Sequence, residues 1–158
     1  MQMVEINSKN VDSITREGKT YLYFTAGFSP FAAAMEPVYQ VGVAGCGMIS
    51  EVYIRNLQTL FSDRLAVRGV FDRHPDRAQG RAAQFTLPRV YGTLEQMLSD
   101  PEIDIVLDLC PPQAHYEINR LALEAGKHVY SEKPLAAQAA QGEELVRLAV
   151  RRTCPLVL

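Results

Sequence analysis

From Tyr39 onward the chain alternates short apolar runs with longer stretches whose apolar residues recur every three or four positions. The first pattern marks strands and the second marks amphipathic helices. Strands are expected over 39–44, 65–71, 89–91, 103–109, 127–130 and 155–158. Helices are expected over 48–60, 75–85, from Thr93 onward, 112–125 and 138–152. Ile49, Val52, Tyr53, Leu57 and Leu60 should form the buried face of the first helix, and Ile118, Leu121, Ala122 and Ala125 that of the fourth. Local signals sharpen the ends. Pro75 suits a first helical position, Thr93 with Gln96 reads as a capping box, and Gly126 is a natural C′ stop. The run 103–109 is apolar on both faces, as in a sheet covered on both sides.

Six strands with helices between them predict an α/β fold, a single doubly wound parallel sheet that binds ligands at the carboxyl ends of its strands. That domain spans residues 37–158, and residues 1–36 form an N-terminal extension. Within the extension, 13–17 and 20–25 can pair as a small hairpin across Gly18 and Lys19. The apolar run 21–28, followed by Ala32, Ala33 and Ala34, has the look of a secretory leader. However, Lys9, Arg16 and Lys19 are balanced by Glu5, Asp12 and Glu17, and Gly27, Ser29 and Pro30 interrupt the run. These features favour an extension over a leader. A further reading starts the functional domain at Met35.

Composition changes this picture little. The chain has 158 residues, 47% hydrophobic and 22% charged, which suits one domain with a real core. A net charge of −2 gives no footprint for nucleic acid or an anionic membrane. No apolar run is long enough to cross a bilayer. Cys46, Cys110 and Cys154 are odd in number and widely spaced, which argues against a disulfide framework and for a reducing, cytoplasmic setting. His74, His115 and His128 show no metal-ligand spacing, so no metal is expected.

The candidate chemistry begins where the first strand meets its helix. Gly45, Cys46, Gly47, Met48, Ile49 and Ser50 read as a strand, a glycine turn and a first helical turn. In such a turn the first glycine lets the chain leave the strand tightly. The second allows close approach of a pyrophosphate, and the third position allows close helix–strand packing. Here the third position is Ser50, so the turn alone is equally well a strand-to-helix connection without a ligand. Asp72 ends the second strand, roughly 20 residues further on, where a carboxylate can accept from ribose hydroxyls and favour NAD. Arg73 follows directly, with His74 and Arg77 close by, and these could grip the extra phosphate of NADP. Asp72 could instead cap the next helix, but the glycine turn, the acid and their spacing together outweigh that reading. Cys110, Pro111 and His115 lie in the loop after the fourth strand, across the switch point. His115 could touch substrate or cofactor, although a polar residue near a helix start needs no such role. Glu132, Lys133 and Pro134 follow the fifth strand. A lysine there can hydrogen-bond and polarise a substrate oxygen; an exposed loop lysine is the plainer reading.

Together these residues give the run 41–137 a family resemblance. It resembles the N-terminal domain of the glucose–fructose oxidoreductase, inositol dehydrogenase and MocA (Gfo/Idh/MocA) family. The resemblance rests on Gly45 to Ser50, Asp72 with Arg73, Tyr91 to Thr93, Asp104 to Val106, Cys110 and Pro111 with His115, and above all Ala122 to Leu135. It implies a Rossmann domain that binds NAD or NADP, with NAD favoured, in an oxidoreductase moving a hydride to or from a hydroxyl or carbonyl carbon, commonly of a sugar or polyol. It implies that Lys133 lies beside the nicotinamide and contacts substrate, and that the Lys133–Pro134 peptide is cis. The family continues into a second, substrate-binding domain that this sequence lacks, so the chain is expected to be truncated, to turn over little alone and to self-associate through uncovered apolar surface. A small-molecule substrate is then expected only once a second domain is supplied. A non-enzymatic dinucleotide sensor or partner subunit is the main alternative. A methyltransferase using S-adenosylmethionine is disfavoured by Glu132, Lys133 and Pro134.

Overall fold

A computed structural model describes residues 11–16, 19–24 and 38–157. The chain divides into two compact units, Met1–Met35 and Glu36–Leu158. In the first, β1 (Val11–Arg16) and β2 (Lys19–Phe24) pair antiparallel, from Val11 opposite Phe24 to Arg16 opposite Lys19. The expected hairpin's Glu17, Gly18 and Thr25, and the small residues Ala32, Ala33 and Ala34, lie outside the described residues.

The second unit runs β3 (Tyr39–Ala44), α1 (Met48–Thr59), β4 (Leu65–Phe71), α2 (Pro75–Phe85), α3 (Leu94–Leu98) and β5 (Ile105–Asp108). It continues with α4 (Pro112–Glu124), β6 (His128–Ser131), α5 (Ala139–Arg152) and β7 (Leu156–Val157). Its strands form one parallel sheet in the order β4-β3-β5-β6-β7. The chain steps outward from β3 to β4, then crosses back to the other side of β3 as β5. That reversal opens a crevice beyond the carboxyl ends of β3 and β5.

The sheet has five strands, not six. The segment expected at 89–91 makes only a parallel bridge, Val90 to Val70. The Val70 N–H donates to the Arg89 carbonyl at 3.1 Å, and the Tyr91 N–H donates to the Val70 carbonyl at 2.9 Å. Pro88 on one side, and Gly92 with the helix cap Thr93 on the other, leave no room for a longer ladder.

Helices cover the sheet on both faces, and the core splits accordingly. Val41, Val43, Val70 and Leu107 pack beneath α1 and α2 with Ile54, Leu57, Ala78 and Ala82. Ala44, Val106 and Val129 pack on the other face with Met97, Ile118, Ala122, Leu123 and Leu145. The alternation along β3 and β5 sends neighbouring side chains to opposite layers, as the pleat requires.

The buried face of α1 differs from expectation. Ser50, Ile54 and Leu57 are buried, whereas Ile49, Val52 and Leu60 are exposed. Ser50 is a small polar residue, so its place in the i, i+4, i+7 stripe was not readable as apolar. Its hydroxyl donates to the Gly47 carbonyl at 2.6 Å, which lets it sit fully buried against the sheet and set the helix's rotation. In α4 the stripe begins one turn earlier than the apolar pattern, at His115, and includes Asn119, while Ala125 is exposed. The capping of α3 is a variant of the expected box. Thr93 accepts from the Gln96 N–H at 3.2 Å, but the Gln96 side chain reaches the N–H of Gly92 rather than of Thr93. Gly126 ends the α4 region with φ +75°.

Candidate functional site

The turn between β3 and α1 is built for glycine at Gly45. Its φ is +94°, and a Cβ there would stand 2.8 Å from the Cys110 nitrogen and from the Leu109 carbonyl. Both obstacles are backbone and cannot swing away. Gly47, two residues on, is the N-cap of α1 and has an ordinary φ of −69°. Nothing lies within 4 Å of where its Cβ would be. A side chain there would enter open space beside the helix start. No side chain caps the start of α1. Its first N–H groups and its dipole therefore face that space, the arrangement that favours an anion.

Two residues hold this turn. The Asp72 carboxylate accepts from the Cys46 N–H and from the His74 N–H, both at 2.8 Å. It thus ties the end of β4 to the glycine turn and to the residue that precedes α2, although no side chain caps α2 itself. Arg81, from α2, donates to the Gly47 carbonyl at 3.0 Å and pairs with Glu51. Arg81 was not legible as a site residue, because it reaches Gly47 only once α1 and α2 pack side by side.

Gly45, Gly47, Asp72, Arg73, Cys110 and Pro111 line one cleft of about 690 Å³, joined by Phe71, Arg77 and Gln113. The other candidates are not among its lining residues. Met48 and Ile49 form the exposed first turn of α1, with Met48 92% exposed. Cys46 is buried beneath the turn and presents its backbone rather than its thiol. Burial first, and then the neighbouring Asp72 carboxylate, push that thiol up to about 12, against a pull from Arg81. A raised thiol favours the neutral form in the folded state. Its stabilising contribution is therefore complete below the ordinary value of 9.0 and is lost as pH climbs towards 12. Urea unfolding should show a smaller loss of stability across that range in Cys46→Ala than in the parent chain; equal losses would contradict this.

Glu132 and Lys133 follow β6 on the neighbouring loop. The Lys133–Pro134 peptide is cis. Lys133 is exposed, and its ammonium makes no hydrogen bond among the described residues. Glu132 is held in place: the Tyr53 hydroxyl of α1 donates to its carboxylate, the Glu132 N–H donates to the Asp108 carbonyl at 3.0 Å, and Glu132 also accepts from the Lys133 N–H. The Tyr53 bond is the main cause holding Glu132 below its usual range. Tyr53, expected only as core, thereby becomes a support of this loop.

His115 does not line the cleft. It is 1% exposed, and its ring lies between two carbonyls, Pro134 at 2.6 Å from Nδ1 and Cys110 at 2.6 Å from Nε2. Near it is Asp108, fully buried at the end of β5. One Asp108 oxygen accepts from the Cys110 N–H at 3.0 Å, and the other has no partner among the described residues. Burial pushes Asp108 up, and the Cys110 N–H and His115 pull it back. A carboxylate inside the apolar run of β5 was the one signal in the sequence that could have flagged this buried cluster. Among the described residues, no group of histidine, cysteine and carboxylate side chains could hold a metal ion. No helix among them is long and apolar enough to cross a membrane.

Comparison with known proteins agrees with this geometry. Residues 39–158 match the oxidoreductase family with an NAD-binding Rossmann fold. Trans-1,2-dihydrobenzene-1,2-diol dehydrogenase of Xenopus tropicalis is 32% identical over 108 residues, covering 68% of this chain and 33% of its own length. The WlbA dehydrogenase of Bordetella pertussis, solved with NADH and UDP-GlcNAcA, superposes with a TM-score of 0.72 at 27% identity, over 77% of this chain and 37% of that one. Biliverdin reductase of Synechocystis sp. PCC 6803, solved with biliverdin and NADP+, gives 0.70 at 30% identity, over 75% and 36%. The chain thus spans about a third of the length of these relatives. With the glycine turn, the acid after β4 and the match over 39–158 in agreement, the chain belongs to the Gfo/Idh/MocA oxidoreductase family and carries its NAD-binding Rossmann fold.

Proposed function

We propose that residues 37–158 form the cofactor half of a dehydrogenase acting on a hydroxyl or carbonyl carbon, of a sugar or polyol, with residues 1–36 as an extension. The observation that carries this reading is the open space at Gly47, above an uncapped helix start and beside a fixed Asp72. The residues present fit a nicotinamide dinucleotide. Gly45 and Gly47 shape the turn, and the backbone N–H groups of Met48 and Ile49 receive the pyrophosphate. Asp72 keeps lone pairs for ribose hydroxyls after accepting its two backbone N–H groups, and this favours NAD. Arg73 and Arg77 line the same cleft and leave NADP a weaker ligand rather than an excluded one. Cys110 and Pro111 form the floor on the far side of the switch point. When bound, the nicotinamide supplies the hydride acceptor or donor. Lys133 would hold the substrate oxygen by a charge-assisted hydrogen bond and steady negative charge that develops there.

Calorimetric titration of the chain with NADH and NADPH tests this. Saturable binding of both is expected, with NADH tighter. Absence of binding by either at millimolar concentration would overturn the reading.

A further inference from the structure

We propose that His115 is a positioning residue, a buried clasp whose ring joins the Cys110 loop to the Pro134 loop and so sets Lys133 against the cleft. This rests on the reading of Lys133 given above.

The two loops follow different strands, β5 and β6, and meet only at the carboxyl edge of the sheet. A carbonyl can only accept, so a ring nitrogen that bonds one must carry an N–H; a neutral imidazole holds one of the two carbonyls in this way and an imidazolium holds both. The ring is buried away from bulk solvent. Asp108 lies on the same layer and anchors both loops as well: its carboxylate accepts from the Cys110 N–H, and its carbonyl accepts from the Glu132 N–H. One turn along α4, Asn119 donates to the Ser131 hydroxyl at 2.9 Å, and Ser131 in turn donates to the Glu132 carbonyl. Two buried polar residues of α4, His115 and Asn119, thus meet the segments on either side of Lys133. Nothing in the packing of the apolar core calls for them: Ile118, Ala122 and Leu123 already seat α4 on the sheet.

Three variants separate the two ends of the clasp. His115→Phe keeps a ring and removes every ring N–H. His115→Asn keeps a donor near the Nδ1 position, facing Pro134. His115→Gln keeps one near the Nε2 position, facing Cys110. The readout is amide hydrogen exchange of the cofactor-free chain at Glu132, Lys133 and Leu135, with Val43 and Val106 as core references. Exchange of the three loop amides should rise about tenfold in His115→Phe and His115→Gln and be largely restored in His115→Asn, with the core amides unchanged. Loop exchange that does not change in His115→Phe, or that rises together with the core in all three, would overturn the clasp. If His115→Phe does not fold, the comparison of Asn with Gln decides: a difference at the loop supports the clasp, and equality overturns it. Failure of the parent chain to bind NADH would defeat the proposed function alone, because the exchange experiment needs no cofactor.

Discussion

Gly45→Ala and Gly47→Ala should fail in different ways. At Gly45 the new Cβ meets the Leu109–Cys110 peptide at 2.8 Å, at a φ of +94°. The left-handed conformation costs about 1–2 kcal/mol for a residue with a Cβ. Crowding against backbone that cannot rotate away adds roughly 1–3 kcal/mol. The variant should therefore unfold at clearly lower urea concentration and lose NADH binding with the turn. At Gly47 the Cβ enters open space. The chain loses only the modest preference of an N-cap for glycine over alanine, under about 1 kcal/mol. Its affinity for NADH should nevertheless fall at least about tenfold, because the methyl group occupies the approach to the helix start. Paired urea and NADH titrations check both. A Gly45→Ala protein as stable as the parent, or a Gly47→Ala protein that binds NADH unchanged, would contradict this division of labour.

Asp72→Ala should change affinity, cofactor choice and stability together. It leaves the Cys46 and His74 N–H groups without their shared acceptor. For the partly buried Cys46 donor that costs about 1–3 kcal/mol, while the exposed His74 N–H turns to water. It also removes the carboxylate that would meet the ribose hydroxyls, while Arg73 and Arg77 stay in the cleft. NADH affinity should fall by about one to two orders of magnitude, and NADPH affinity by much less, since a negative neighbour of the extra phosphate is gone. The ratio of the two dissociation constants is the quantity to follow. An unchanged ratio would mean that Asp72 serves the fold alone.

What the sequence shows and what it hides follow from the range of the interactions. The runs at 39–44 and 65–71, with Pro75 and Gly126 as punctuation, are local patterns, and the structure places their elements where the periodicity does. The segment 89–91 had the right residues for a strand, but its partner β4 meets it at Val70 alone. The face of α1 was misjudged because its packing is led by a serine whose hydroxyl is satisfied within its own turn. In the site, Gly45, Gly47, Asp72 and Cys110 were legible because each stands at a strand end, and strand ends converge in a doubly wound sheet. Tyr53 and Arg81 were not, because each acts on a residue distant in the chain. His115 was visible as a candidate, but its surroundings were not: the carbonyls of Cys110 and Pro134 reach it only through the pairing of β5 with β6.

The cleft beside the β3–α1 turn is proposed to receive a nicotinamide dinucleotide. An NMR titration of the isotope-labelled chain with NADH tests it most directly, residue by residue. The account predicts saturable shifts at the amides of Gly47, Met48 and Ile49, at Asp72 and Arg73, and at Cys110 and Gln113, with Lys133 following. Shifts confined to other surfaces, or none at millimolar NADH, would contradict it.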